Sequence, residues 1–295
     1  MRLRGPFPNI KDFRPPGQLP ERLFTDMAPR WKGVPTATKM EGYRLRLAKS
    51  LRRKPLSFAP DALALSEMLE NCRDGSRCHS AGCPECLRAA QWYVASRIAA
   101  FNYCSTQTIF PSGATAIFIT IIPTEWQQPE HGLYRFRIAE QLSSLRRALM
   151  KMAAVKAALL GVDFSFNDNR KKRNGTEYWQ PHIHGVMWLR DVDAVVKALK
   201  KLFPKSNTVN TPVQVKVYDG TAKGAAYCFK TYFERRVAVR KEDHPTRKPF
   251  WTTKYYPLRV RQRNELALFL DKIGMRARVL SYHRRHESGL PKKLE

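Results

Sequence analysis

Val162-Asp-Phe-Ser-Phe-Asn-Asp168 is followed, after a polar and basic turn, by His182-Ile-His-Gly-Val-Met-Trp-Leu189. In the first segment Val162, Phe164 and Phe166 alternate with Asp163, Ser165 and Asn167, the period of a strand with two unlike faces. The second is an apolar run rich in strand formers. Residues 169–177, with Gly175, join the two as a hairpin. Upstream, Ala116-Ile-Phe-Ile-Thr-Ile-Ile122 is β-branched and stops at Pro123, which predicts a buried strand. Leu142, Leu145, Leu149, Met152, Val155 and Leu159 recur at three- and four-residue steps. They predict one long helix over 135–160 with Gly161 as its stop. Downstream, 191–202 reads as a helix with Asp191 or Asp193 near its start, and Val213, Val215 and Val217 alternate as a fourth strand. Thr221 then caps a helix running through Tyr227 to about residue 237. The order β-α-β-β-α-β predicts an α+β fold, the split βαβ arrangement of an antiparallel sheet with helices on one face.

The flanks read differently. Residues 1–60 hold nine of the chain's 20 prolines and predict a basic, mostly irregular arm with a short helix at 39–51. Residues 61–105 form a second unit, in which a helix at 60–70, a cysteine cluster and a helix at 87–102 follow one another. The sheet domain takes 114–237. Residues 238–295 make a basic C-terminal extension, with a Pro- and Lys/Arg-containing linker at 238–257, a basic helix at 261–273 and a tail without a clear signal.

Charge narrows the partner. The 295 residues include 53 Lys and Arg against 25 Asp and Glu, a net +28. Most of the excess lies in residues 1–60 and 233–295. Such an excess repels itself unless a polyanion neutralises it, and nucleic acid is the leading candidate. The longest apolar stretches are too short, or too interrupted by charge, to span a bilayer. The N-terminal MRLRGPFPNI has no apolar signal-peptide core. The expectation is a cytoplasmic protein with no membrane partner.

Four of the six cysteines lie close together: Cys72, Cys78, Cys83 and Cys86. Cys83-Pro-Glu-Cys86 is a C-x-x-C turn that points two thiolates at one ion, and Cys72 and Cys78 can complete a tetrahedral structural Zn2+ site. His79 can take the place of Cys78. A full shell of four thiolates leaves no open position, so no catalysis is expected there. Cys104 and Cys228 stand alone.

The chemistry concentrates elsewhere. His182 and His184 are two apart on a predicted strand and point to one face, where two imidazoles can hold a divalent ion. Asp163 lies on the polar face of the adjoining strand and supplies a carboxylate. Two histidines and one carboxylate leave coordination positions open. Tyr227 and Lys230 are three apart on a predicted helix and share a face. A phenol, with an ordinary pKa near 10, must be activated before it attacks phosphorus, and an ammonium and a metal favour the phenolate. Tyr232 and Tyr218 are rival nucleophiles, and Glu177 and Asp168 are alternative ligands. Arg170-Lys171-Lys172-Arg173 is either a solvated turn or a grip on DNA.

In these residues the chain resembles an HUH endonuclease, and within that superfamily the replication initiators of rolling-circle plasmids. Phe118-Ile-Thr-Ile-Ile122 is similar to the family's first motif. Pro181-His182-Ile-His184 matches its His-hydrophobe-His motif, and Tyr227-Cys-Phe-Lys230 its Tyr-x-x-Lys motif. Asp163 stands where a family strand begins with a Glu ligand. Some of these initiators also carry a cysteine cluster before the first motif. The resemblance covers about residues 70–235. It implies Mg2+ or Mn2+ on His182, His184 and Asp163, attack by Tyr227 on single-stranded DNA to give a 5′-phosphotyrosine, and charge neutralisation by Lys230. It also implies melted origin DNA as substrate, and a host helicase and polymerase, because no G-x-x-x-x-G-K-[ST] loop occurs. A transposase or relaxase is the alternative within the superfamily. A non-catalytic zinc-bearing nucleic-acid-binding protein is the alternative of another class.

Overall fold

The two long strands of the hairpin set the architecture. In the computed structural model, which describes residues 15–24, 35–53, 59–104, 113–169, 175–241 and 250–284, β3 (Val155–Asp168) pairs antiparallel with β4 (Glu177–Leu189) along its whole length. β1 (Thr115–Ile121) lies antiparallel on the other side of β4, and β5 (Val213–Val217) antiparallel on β1. The strand order β5-β1-β4-β3 is that of the split βαβ arrangement. Its two crossovers are α4 (Ile138–Lys151) and α5 (Val192–Leu202). The Asp191 carboxylate caps α5 by accepting from the Ala194 amide at 2.9 Å, and Val195 and Leu199 bury its inner face. A two-residue strand β2 (Gln128–Pro129) adds to the start of β4.

The sheet is larger than the pattern predicts, and it is mixed rather than wholly antiparallel. β6 (Glu234–Lys241) runs parallel to the end of β3, and β7 (Phe250–Pro257) turns back along β6. β8 (Val279–His283) pairs with the start of β3 through Ala157–Gly161. The stretch 238–257 is therefore mainly the arms of a hairpin and not a linker. The tail beyond 273 contributes a strand to the central sheet.

The predicted long helix also changes. α4 stops at Lys151, and Val155 and Leu159 belong to β3. The apolar spacing continues through 152–160 because β3 is buried nearly throughout, so helix and strand readings look alike there. On one face of β3, Phe164 meets Phe136 and Phe269 at ring distances of 6.3 and 5.6 Å. Gly161 is no helix stop but lies in mid-strand, directly opposite His184. A Cβ built there would sit 1.8 Å from the Cys228 carbonyl oxygen, so the chain after α6 (Ala222–Tyr227) rests directly on the sheet.

Around this sheet lie α1 (Ala37–Leu51), α2 (Pro60–Asn71), α3 (Pro84–Cys104) and α7 (Val260–Ile273). α1 is the short helix expected at 39–51, begun two residues earlier, and it is packed into the fold rather than standing off it. Arg44 reaches Glu85 on α3 at 2.6 Å, and Ser50 donates to Asn264 on α7 at 2.6 Å. Among the described residues no helix is long and apolar enough to cross a membrane.

Adding a methyl at Gly161 forces the 226–231 turn off the sheet. Gly161→Ala is expected to cost about 1–3 kcal/mol in urea unfolding. Gly42→Ala on α1, where the new Cβ meets only the Arg46 guanidinium at 3.4 Å, should be neutral or stabilising by up to about 1 kcal/mol. Equal losses at the two positions would contradict the close seat.

Candidate active site and cysteine cluster

Strand register brings the first three site residues together. Asp163 stands opposite His182, and Gly161 opposite His184, so all four positions share one sheet face. The Nε2 atoms of His182 and His184 lie 3.3 and 3.7 Å from Asp163 Oδ2. Each imidazole is fixed through its other nitrogen. His182 Nδ1 bonds the Gln180 carbonyl at 2.9 Å, and His184 Nδ1 bonds Thr120 Oγ1 of β1 at 2.8 Å. The Phe164 amide donates to the second oxygen of Asp163 at 2.8 Å. His184 Nε2 is buried and has no hydrogen-bond partner among the described residues. Anchored Nδ1 atoms with Nε2 atoms converging on a carboxylate form the outer shell that metal-ligating histidines require. One donor atom from each of Asp163, His182 and His184 lies within 4.8 Å of the other two, a group that could hold a metal ion.

Tyr227 and Lys230 reach the triad from a turn. α6 ends at Tyr227, and no helix continues to residue 237. The predicted shared helix face does not exist, yet the turn achieves the same convergence. The Tyr227 ring packs on His184 at 4.7 Å and on Phe118 at 5.8 Å, while 45 % of the residue stays exposed. Lys230 Nζ lies 4.0 Å from the centre of the Tyr227 ring and 2.9 Å from Asp163 Oδ2.

Two residues that sequence reasoning passes over hold this turn. Gln91, buried on α3, donates to the Ala226 carbonyl at 2.9 Å and accepts from Thr231 Oγ1 at 3.2 Å. Arg278, fully buried, donates to the Val162 carbonyl at 3.1 Å and the Lys230 carbonyl at 2.9 Å, and lies over the Phe229 ring. Both are distant in sequence from what they hold, and no local pattern marks them.

The charges balance locally. Burial alone would raise the Asp163 carboxyl. The Lys230 ammonium and the two imidazoles override it and hold the group well below the ordinary carboxylate range. Burial pushes Lys230 down, but Asp163 outweighs it and keeps the ammonium charged above its usual range. Burial and the neighbouring His182 keep His184 neutral, the form that binds metals.

The rival residues go elsewhere. Tyr218 is buried and donates to the Thr221 carbonyl at 3.0 Å. Tyr232 stacks on Tyr43 of α1 at 5.8 Å, and burial raises its phenol to about 12. Asp168 is gripped by Arg235 and Arg259 at 2.9 and 2.8 Å, and Glu177 by Arg259 at 3.1 Å, at the far end of the hairpin. Arg170, Lys171, Lys172 and Arg173 lie outside the described residues.

The cysteines form a second cluster. Cys72, Cys78, Cys83 and Cys86 are all free thiols, with Sγ atoms 3.6–3.8 Å apart in the closest pairs. Four thiolates at about 2.3 Å from one ion have tetrahedral edges of about 3.8 Å, so the donor set fits a closed metal shell. His79 stands outside it; its Nδ1 accepts from the Leu19 amide at 3.2 Å. Cys86 lies in the first turn of α3, whose next turns carry Gln91.

Cobalt should report this shell. One equivalent of Co2+ added to metal-free, reduced protein is expected to give the intense visible bands of a tetrahedral thiolate site. Cys83→Ser should weaken and shift them. A spectrum of six-coordinate Co2+ alone would contradict a four-thiolate site.

No protein-family model, no curated protein and no solved structure matches this chain.

Proposed function

We propose that the protein is a metal-dependent nicking and joining enzyme for single-stranded DNA, acting through a tyrosine nucleophile. The carrying observation is the convergence of an exposed tyrosine, a buried ammonium and an Asp/His/His donor set at one point of the sheet. The strand order and the three motifs in sequence support the likeness to HUH replication initiators.

Asp163, His182 and His184 would hold Mg2+ or Mn2+, which when bound polarises the scissile phosphate and stabilises charge on its oxygens. Tyr227 presents its phenol at the surface, and its ring packs edge-on against His184 and Phe118. The phenol proton leaves to solvent as the oxygen attacks phosphorus. A Tyr–O–P bond forms, the bond from phosphorus to the 3′-oxygen breaks, and that oxygen takes up a proton to become a free hydroxyl. Lys230 lies against the phenol and neutralises negative charge as it develops. Attack by a 3′-hydroxyl on the phosphotyrosine reverses the step and rejoins strands.

The net +28 suits a polyanionic substrate, and the four-cysteine shell suits Zn2+ in a structural role. A freed 3′-hydroxyl can prime synthesis, so the best role is initiation of rolling-circle replication of a plasmid or phage, with helicase and polymerase supplied by the host. A transposase or relaxase would use the same step.

Incubation with Mn2+ and labelled single strands from the protein's own replicon should give a protein–DNA adduct that survives SDS. Tyr227→Phe and His184→Ala should abolish it, and Lys230→Met should slow its formation about 100- to 1000-fold. An adduct surviving Tyr227→Phe would overturn the nucleophile assignment. Tight binding with no adduct on any substrate would favour a non-catalytic binder.

A further inference from the structure

The ribbon formed by β6 and β7 is the least explained surface of the molecule. β7 is the edge strand of the sheet and almost wholly exposed. Phe250, Trp251, Tyr255 and Tyr256 are 40, 41, 58 and 42 % exposed. An aromatic edge strand left to water invites aggregation, so a patch of this kind marks a partner. Cations surround it: Arg235, Arg236, Arg240 and Lys241 on β6, and Lys254 on β7. Glu234 is the one acidic residue in the two strands. Aromatic rings interleaved with cations are the surface that single-stranded nucleic acid uses, with bases on the rings and phosphates on the charges.

Register says which face matters. Asp163, Ser165 and Asn167 share the face of β3 that carries the site. Asn167 pairs with Arg236, Arg236 with Tyr255, and Arg240 with Trp251. Arg236, Tyr255, Arg240 and Trp251 therefore continue the same sheet face as Asp163, His182 and His184. The Arg236 guanidinium lies 5.9 Å from the Tyr255 ring. Phe250 and Tyr256 project to the opposite face. Tyr227 and the start of β6 are separated by only six residues of chain.

We propose that this face of the ribbon is a binding track for single-stranded DNA, in which Trp251 and Tyr255 stack on bases and Arg236 and Arg240 hold phosphates, leading the strand to Tyr227. The track rests on the reading of the site as one that acts on single-stranded DNA, but its binding needs no chemistry and can be tested apart from it.

The test is fluorescence anisotropy of the full chain with a labelled oligothymidylate of about 20 nucleotides, which carries no nicking sequence. Trp251→Ala and Tyr255→Ala should each weaken binding about 5- to 100-fold. Arg240→Gln should lower the salt dependence by about one ion. The opposite-face pair Phe250→Ala and Tyr256→Ala should change affinity less than about twofold, with circular dichroism confirming that all variants fold. Unchanged affinity in the Trp251/Tyr255 variants would overturn the track. So would equal losses from the opposite face, a preference for duplex lost in the same variants, or a dimer that Trp251→Ala dissociates. Oligothymidylate binding that depends on Trp251 and Tyr255, with no covalent adduct on any substrate, would remove the nicking reading and leave the track standing.

Discussion

A carboxylate buried inside a sheet must be compensated, and Asp163 organises the molecule around that need. Its partners come from three places. β4 brings two imidazoles by register, the turn after α6 brings an ammonium, and the backbone of β3 brings an amide. Removing any one leaves a buried charge short of a partner. The same contacts bring Tyr227 to the cluster, because the turn that delivers Lys230 also delivers the phenol ring to His184.

That turn is held on three sides. The sheet supports it at Gly161, where no side chain fits. Gln91 bonds both of its ends from α3, and Arg278 bonds the Lys230 carbonyl from the segment before β8. α3 begins at the cysteine cluster. A metal held by those four thiolates would therefore brace the helix that positions the turn, a physical link from the cysteine cluster to the site. Segments before and after the sheet domain, α3 and the residues around Arg278, are thus both needed to build a site whose Asp/His/His group lies in the middle of the chain.

Local chemistry was legible where one residue type had to sit at one spacing. His182 and His184 share a face because strands alternate, and Asp163 follows from hairpin pairing. The four cysteines were readable as one group because thiolates so close in sequence can reach one ion. Reading failed where burial erased the pattern. β3 is buried nearly throughout, so Val155 and Leu159 looked like the last turns of α4, and Gly161 looked like its stop. The stretch 238–257 reads as a linker because Pro245, Pro249 and Pro257 and its cations outweigh a short period-2 signal, although β6 and β7 hold most of it. Helical spacing pairs Lys230 with Tyr227, but the helix ends at Tyr227 and it is the turn after it that brings the two together. Gln91 and Arg278 carry no local signature, since their roles exist only once distant segments meet.

Anomalous scattering from crystals of the protein grown with Mn2+ would show whether Asp163, His182 and His184 form one metal centre directly beside Tyr227. The expected result is a peak within bonding distance of both Nε2 atoms and of Asp163 Oδ2, with the Tyr227 ring at its edge and Lys230 drawn off the carboxylate. A peak confined to other residues, with Lys230 still paired to Asp163, would contradict it.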